Sequence, residues 1–143
     1  MNTVCLSGAL ATDPVGRKVT VVRDGQRTEN TTASFLLAVN RPRRAGTDQD
    51  PGADFVRVEV WGKVAENTLR YLKKGRRVNV EGRLRSRRLV FRDGEDNAVV
   101  RYDLRVIARR IECWPVRNGA QASDQAEPAF EPARGAEFDR VPF

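Results

Sequence analysis

Histidine is absent from the 143 residues, and cysteine occurs only twice, at Cys5 and Cys113. Without histidine, and with two cysteines far apart, there is no zinc-ligand set, no histidine general base and no histidine-based triad. Both cysteines lie inside apolar, strand-like runs and read as small buried hydrophobes rather than a disulfide or redox pair. Long uncharged apolar runs are missing too, and the start, Met1-Asn-Thr-Val-Cys-Leu-Ser-Gly, lacks the basic region and apolar core of a signal peptide. A soluble, intracellular protein is the expectation. No glycine-rich phosphate loop, metal cluster or activated nucleophile is found. The carboxylates Glu59, Glu81 and Asp103 stand among arginines on strand faces, which suits charge pairing better than acid–base work. The sequence therefore calls for no catalytic residue, no metal and no cofactor.

What is abundant is positive charge: 26 Lys+Arg against 19 Asp+Glu, a net +7 and a pI near 10.2. That balance favours a polyanionic partner, nucleic acid first and an anionic membrane second. The charge is unevenly placed. Residues 117–143 hold three arginines and five acids, so a basic body precedes a mildly acidic tail.

The length suits one domain with a real core. Val4 to Leu10 opens a strand that breaks at Thr12-Asp13-Pro14 and continues in extended form from Lys18 to Val22. Asp24-Gly25 is a hairpin turn signal. Thr31 to Asn40 is the next strand, Arg41 to Ala53 a polar loop, and residues 54–61 a third strand. The period then changes: Val64, Ala65, Thr68, Leu69 and Leu72 recur at helical spacing, with Gly75 where a C-terminal cap would stand. Val78, Val80, Gly82 and Leu84 restore alternation, with Arg83, Arg85 and Arg87 on the opposite face. A second turn falls around Arg92-Asp93-Gly94-Glu95, and Val99 begins a last strand running toward Trp114. Residues 1–116 are one domain. Residues 117–143 lack apolar periodicity and are expected to be disordered. Three strands, one helix and two more strands fit an all-β, five-stranded Greek-key barrel of OB type, with one short helix between strands three and four. A small open sandwich is the alternative. Leu6, Phe35, Leu37, Val58, Val80, Leu104 and Val106 are assigned to the core, and Tyr71 and Tyr102 to packing. Trp114 is expected in the core or at the edge of an interface.

Within this frame the stretch from Asp54 to Lys63 is the most informative. Val56, Val58 and Val60 form one face of a strand; Phe55, Arg57, Glu59 and Trp61 form the other. Two aromatics interleaved with a cation suit a surface that stacks bases and tracks phosphates. The competing reading buries Phe55 and Trp61 against a loop or a second subunit.

Taken in order, several segments resemble the bacterial single-stranded DNA-binding protein family over essentially the whole chain. They are Met1-Asn-Thr-Val, Leu6-Ser-Gly, Asp13-Pro14, Ala33-Ser-Phe-Leu-Leu-Ala-Val-Asn40, Phe55 through Glu66, Tyr71-Leu-Lys-Lys-Gly75, Val80 through Arg87, and the final Phe138-Asp-Arg-Val-Pro-Phe143. The resemblance implies an OB fold, a homotetramer and sequence-tolerant binding of single-stranded DNA. It also implies a cytoplasmic, nucleoid-associated location and a C-terminal tip that recruits replication, recombination and repair proteins. The tip would comprise Phe138, Asp139, Val141, Pro142 and Phe143. Departures accompany the match. Of the four stacking positions usual in the family, Phe55 and Trp61 fill two. A third falls in Arg41-Pro-Arg-Arg44, and the fourth at Leu89, with Phe91 two residues on. Val56 stands where histidine is common, and Arg140 interrupts the acidic tip.

Phe55 and Trp61 are thus the expected base platforms and Phe91 a third. Arg57, Lys63, Lys73, Lys74, Arg83, Arg85 and Arg87 are the expected phosphate ligands, joined by Arg41, Arg43 and Arg44. Plainer readings stand beside these. Lys73 and Lys74 also complement a helix C-terminus, and Arg85 and Arg87 could simply solvate a hairpin. An RNA-binding OB module, or a recruitment protein with secondary nucleic-acid binding, are the alternative functions.

Overall fold

The computed structural model describes residues 1–115 apart from positions 93, 95 and 96. It contains β1 (Val4–Leu10), β2 (Val15–Arg23), β3 (Gln26–Asn40), β4 (Ala53–Trp61), α1 (Lys63–Tyr71), β5 (Arg77–Arg92) and β6 (Ala98–Cys113). The expected tail and tip lie outside the described residues. No described helix is long and apolar enough to cross a membrane.

Strand order is β1-β5-β6-β4-β3-β2, and β1 also pairs with β3 through Ala9↔Ala38 and Leu10↔Leu37. Those last pairs close a ring of five strands, the expected OB barrel. The sixth strand arises because the opening strand is interrupted at residues 11–14. Its continuation, β2, leaves the ring and pairs with the outer part of β3. Asp24 and Gly25 both have positive φ, 51° and 76°, as a two-residue hairpin turn with matching strand twist requires.

Alternation sorts the side chains. Leu10, Ala33, Phe35, Leu37, Val58, Val60, Val78, Val80 and Val106 point inward and are buried. Helix α1 adds Ala65 and Thr68 to the interior, and Leu72 follows it there. Gly62, at φ 65°, turns the chain out of β4 into this helix. Gly75 lies three residues past Leu72, the cap, so it shapes the next turn instead of ending the helix.

Beyond Gly82, β5 no longer pairs with β1, and β6 meets β4 only at Val106 and Ile107. The rest of β5 and β6 is a two-stranded arm leaving the barrel, and this corrects several expectations. Leu104 and Tyr102 are on the arm, 56% and 67% exposed, because among the described residues no third strand or helix covers that face. Tyr71 is also exposed, with the Arg70 guanidinium 5.9 Å from its ring centre. Cys5 and Cys113 are exposed: Cys5 alternates outward from β1, and Cys113 closes β6. Trp114 is not core; it lies on the surface with its indole N–H donated to Asn79 Oδ1 at 2.9 Å.

The register of β5 against β6 shifts at Glu81/Gly82. A Cβ on Gly82 would stand 2.2 Å from the Ile107 carbonyl oxygen, a backbone atom that cannot swing aside. Gly16 is also crowded, but by the Leu69 side chain, which is partly exposed and can rotate. Gly82→Ala is therefore expected to destabilise by roughly 1–3 kcal/mol or more, and Gly16→Ala by less. Urea denaturation midpoints check the order; equal midpoints would contradict it.

Candidate nucleic-acid interface

Because Val58 and Val60 point inward, Phe55, Arg57, Glu59 and Trp61 must face outward on β4. Strand register then fixes their neighbours. Ala38 lies beside Phe55, Leu36 beside Arg57, Ser34 beside Glu59 and Thr32 beside Trp61. On the other side Glu59 is level with Ile107 of β6, and Ile107 pairs with Arg83 of β5. Outward along the arm follow Arg85 opposite Arg105, Arg87 opposite Asp103, Leu89 opposite Arg101 and Phe91 opposite Val99. One continuous wall, β3-β4-β6-β5, thus carries Phe55, Arg57, Trp61, Arg83, Arg85, Arg87 and Phe91. At a rise of about 3.3 Å per residue, Phe91 lies about 26 Å farther out than Arg83.

The centre of this wall is a charge network. Arg57 Nη1 donates to both oxygens of Asp103 at 3.2 and 3.3 Å. Arg105 forks, with Nη1 on Glu59 and Nη2 on Asp103, each at 2.7 Å. The four side chains are 15–21% exposed. The Glu59 hydrogen bond leads the Asp103 contacts in raising the Arg105 pKa above its already high ordinary value, against the opposing effect of burial. Arg57, expected as a phosphate ligand, is thus held by a carboxylate from another strand.

The exposed cations are differently placed. Arg83, Arg85 and Arg87 are exposed along the arm. Lys63 opens α1 immediately after Trp61 and Gly62, and its contact with Glu66 at 3.3 Å is a solvent-exposed pair of small energetic weight. Lys73 is not on the wall. It lies in the turn after α1, where Lys74 N–H is received by Asp13 and Gly75 N–H by the Leu10 carbonyl. Arg41 reaches back to Asp54, and that hydrogen bond, with the attraction between the two charges, raises its pKa. Trp61 is 37% and Phe91 45% exposed, while Phe55 is half-buried.

Three cations join the set that sequence reasoning named. Arg101 places its guanidinium 5.8 Å from the Phe91 ring centre, a cation–π pair on the arm. Arg105 belongs to the central network. Arg17 pairs with Thr32, which pairs with Trp61, so Arg17 shares a row with the tryptophan. The Asp24-Gly25 turn fixes the pairing of Arg17 with Thr32, but the pairing of Thr32 with Trp61 spans the loop after β3 and has no local signal.

The sequence matches the model of the Single-strand binding protein family over residues 1–114. Single-stranded DNA-binding protein 1 of Clostridium acetobutylicum is 36% identical over 112 residues, covering 78% of this chain and 92% of that protein. Single-stranded DNA-binding protein 2 of the same organism is 30% identical over 145 residues and aligns over the whole of both chains. The Bacillus cereus single-stranded DNA-binding protein is 38% identical over 121 residues, 83% of this chain and 63% of that protein.

Removing Arg57 would deprive Asp103, a largely buried carboxylate, of one of its two arginines. Arg57→Ala is expected to cost roughly 1–3 kcal/mol of stability, and Arg85→Ala less than about 0.5 kcal/mol. Chemical denaturation of both variants tests this; an Arg57→Ala chain as stable as the parent would mean the network holds nothing together.

Proposed function

Since the chain belongs to the single-strand binding protein family, whose members bind DNA without catalysing a reaction, we propose that it binds single-stranded DNA across the outer wall β3-β4-β6-β5. Bases stack on Phe55 and Trp61, with Phe91 and its Arg101 partner as a further platform on the arm. Phosphates are met by Lys63, Arg83, Arg85 and Arg87, and by Arg17 beside Trp61. The observation that carries this reading is the outward-facing, partly exposed Trp61 on a wall whose acids are already paired with arginines. Each stacked base contributes roughly 1–3 kcal/mol and any base serves, which gives sequence tolerance.

The full chain works in the cytoplasm, on the nucleoid, as a homotetramer. Its segment 117–143 supplies an acidic lead and the tip Phe138, Asp139, Val141, Pro142 and Phe143. An apolar anchor, Val141-Pro142-Phe143, beside the acidic Asp139 fits a basic, hydrophobic pocket on replication, recombination and repair proteins. Deleting residues 138–143 is expected to leave oligo(dT) affinity within about twofold while abolishing recruitment of such proteins to coated DNA in co-sedimentation. Unchanged recruitment would assign that role elsewhere.

The primary test is tryptophan fluorescence of a Trp114→Phe chain titrated with oligo(dT), with oligo(rU) and duplex DNA as competitors. Trp61 is then the one tryptophan left. Strong quenching that neither competitor relieves is expected, with the complex sedimenting at the mass of four protomers plus DNA. A Trp61→Ala change in the parent chain should weaken binding by roughly 1–3 kcal/mol. Equal competition by oligo(rU) would favour an RNA module, and absence of quenching in a folded chain would remove Trp61 from the binding face.

A further inference from the structure

The network at the middle of the wall uses up positive charge where a strand would run. Asp103 receives Arg57 at 3.2 Å and Arg105 at 2.7 Å, and Arg87 stands directly opposite it on β5. Glu59 receives the other arm of Arg105 at 2.7 Å. Two arginines and two carboxylates cancel, and all four are 15–21% exposed, so solvent screens their attraction only partly. Two guanidiniums on the face thereby already donate to protein carboxylates before any phosphate arrives.

We propose that Asp103 limits the affinity of this face, holding Arg57 and Arg105 in ion pairs and so keeping the bound strand exchangeable. The proposal rests on the reading that DNA crosses this wall. A phosphate could take either arginine only by displacing a carboxylate that already makes charge-assisted hydrogen bonds to it, an exchange of like for like with little net gain. Binding at the centre then relies on stacking by Phe55 and Trp61, and counterion release is confined to cations at the rim. Two carboxylates near the path also repel phosphate unless their arginines stay in place. The arrangement trades tightness for mobility along the wall.

Asp103→Asn tests this, because the amide keeps the shape and one acceptor oxygen while removing the charge. Affinity of the full chain for oligo(dT) is measured over a salt series. Each phosphate newly engaged adds roughly 0.7 to the log–log slope for single strands. With Arg57 relieved of Asp103, and Arg105 still held by Glu59, the slope should steepen by about 0.7. Affinity at low salt should exceed the parent's, the advantage shrinking roughly 2.6-fold per added phosphate on a fourfold rise in salt. Glu59→Gln, which leaves Arg105 on Asp103 alone, should steepen the slope by less than Asp103→Asn does. Glu112→Gln removes the same charge from a residue paired with Arg110 and level with Asn79, away from this wall, and should leave the slope unchanged. A parent-like slope in Asp103→Asn overturns the proposal, as does an equal change in Glu112→Gln, which would indicate net charge alone. Loss of folding in both Asp103→Asn and Glu59→Gln overturns it as well, making the network a structural brace. If the parent chain itself fails to bind oligo(dT), the binding-wall reading falls instead.

Discussion

Parallel strands cannot be joined by a tight turn, and the pairing of β4 with β6 obliges the chain to travel through α1 and β5 before it returns. That seam consists of Val58↔Val106 and Glu59↔Ile107. Inside it, Val58 and Val106 are among the most deeply buried side chains of the barrel. Outside it, Arg105 reaches from β6 to Glu59, and Asp103 reaches to Arg57, so the seam is fastened on both faces. The helix, the long β5–β6 hairpin and the outer wall owe their placement to this crossover. A binding face built across it inherits its charges.

Stability and binding therefore draw on the same residues for different ends. Arg57 contributes to the fold by satisfying Asp103, and that service removes it from the pool of phosphate ligands. Arg83, Arg85 and Arg87 do the reverse: they are exposed on a two-stranded arm with little to stabilise and are available to an anion. On the proposed reading, stacking on Phe55 and Trp61 would be insensitive to salt, whereas the arm's contribution would be screened over about 10 Å at 0.1 M. Such a wall would combine a salt-tolerant centre with a salt-sensitive rim.

Much of this was legible in the sequence because alternation and turn chemistry are local. Val56, Val58 and Val60 against Phe55, Arg57, Glu59 and Trp61 gave the two faces of β4, and Asp24-Gly25 gave the hairpin. Alternation specifies parity, however, and says nothing of what lies opposite. Leu104 has the parity of the buried Val106, yet it is exposed because β6 has not yet reached β4 there. Cys5 sits in an apolar run but on the outer parity of β1. The Arg57–Asp103 and Arg105–Glu59 contacts each join residues 46 positions apart, and no local pattern encodes them. That Glu59, Glu81 and Asp103 serve charge pairing followed from their standing among arginines on strand faces, and each does meet an arginine.

The departures from the family's aromatic pattern gain a physical sense in this setting. Where a third platform would follow β3, Arg41 instead bonds Asp54 across the mouth of the loop, which ties the start of β4 to the end of β3 just ahead of Phe55. Where a fourth would stand on the arm, Leu89 faces Arg101, and Arg101 leans over Phe91. The aromatic surface is displaced outward by one row and backed by a cation. A guanidinium against a ring orders both, and it leaves N–H groups at the ring's edge for a phosphate while the open face takes a base. If the strand crosses this wall as proposed, fewer platforms with charge beside them would hold it by contacts that form and break separately. The neutralised centre of the wall works in the same direction.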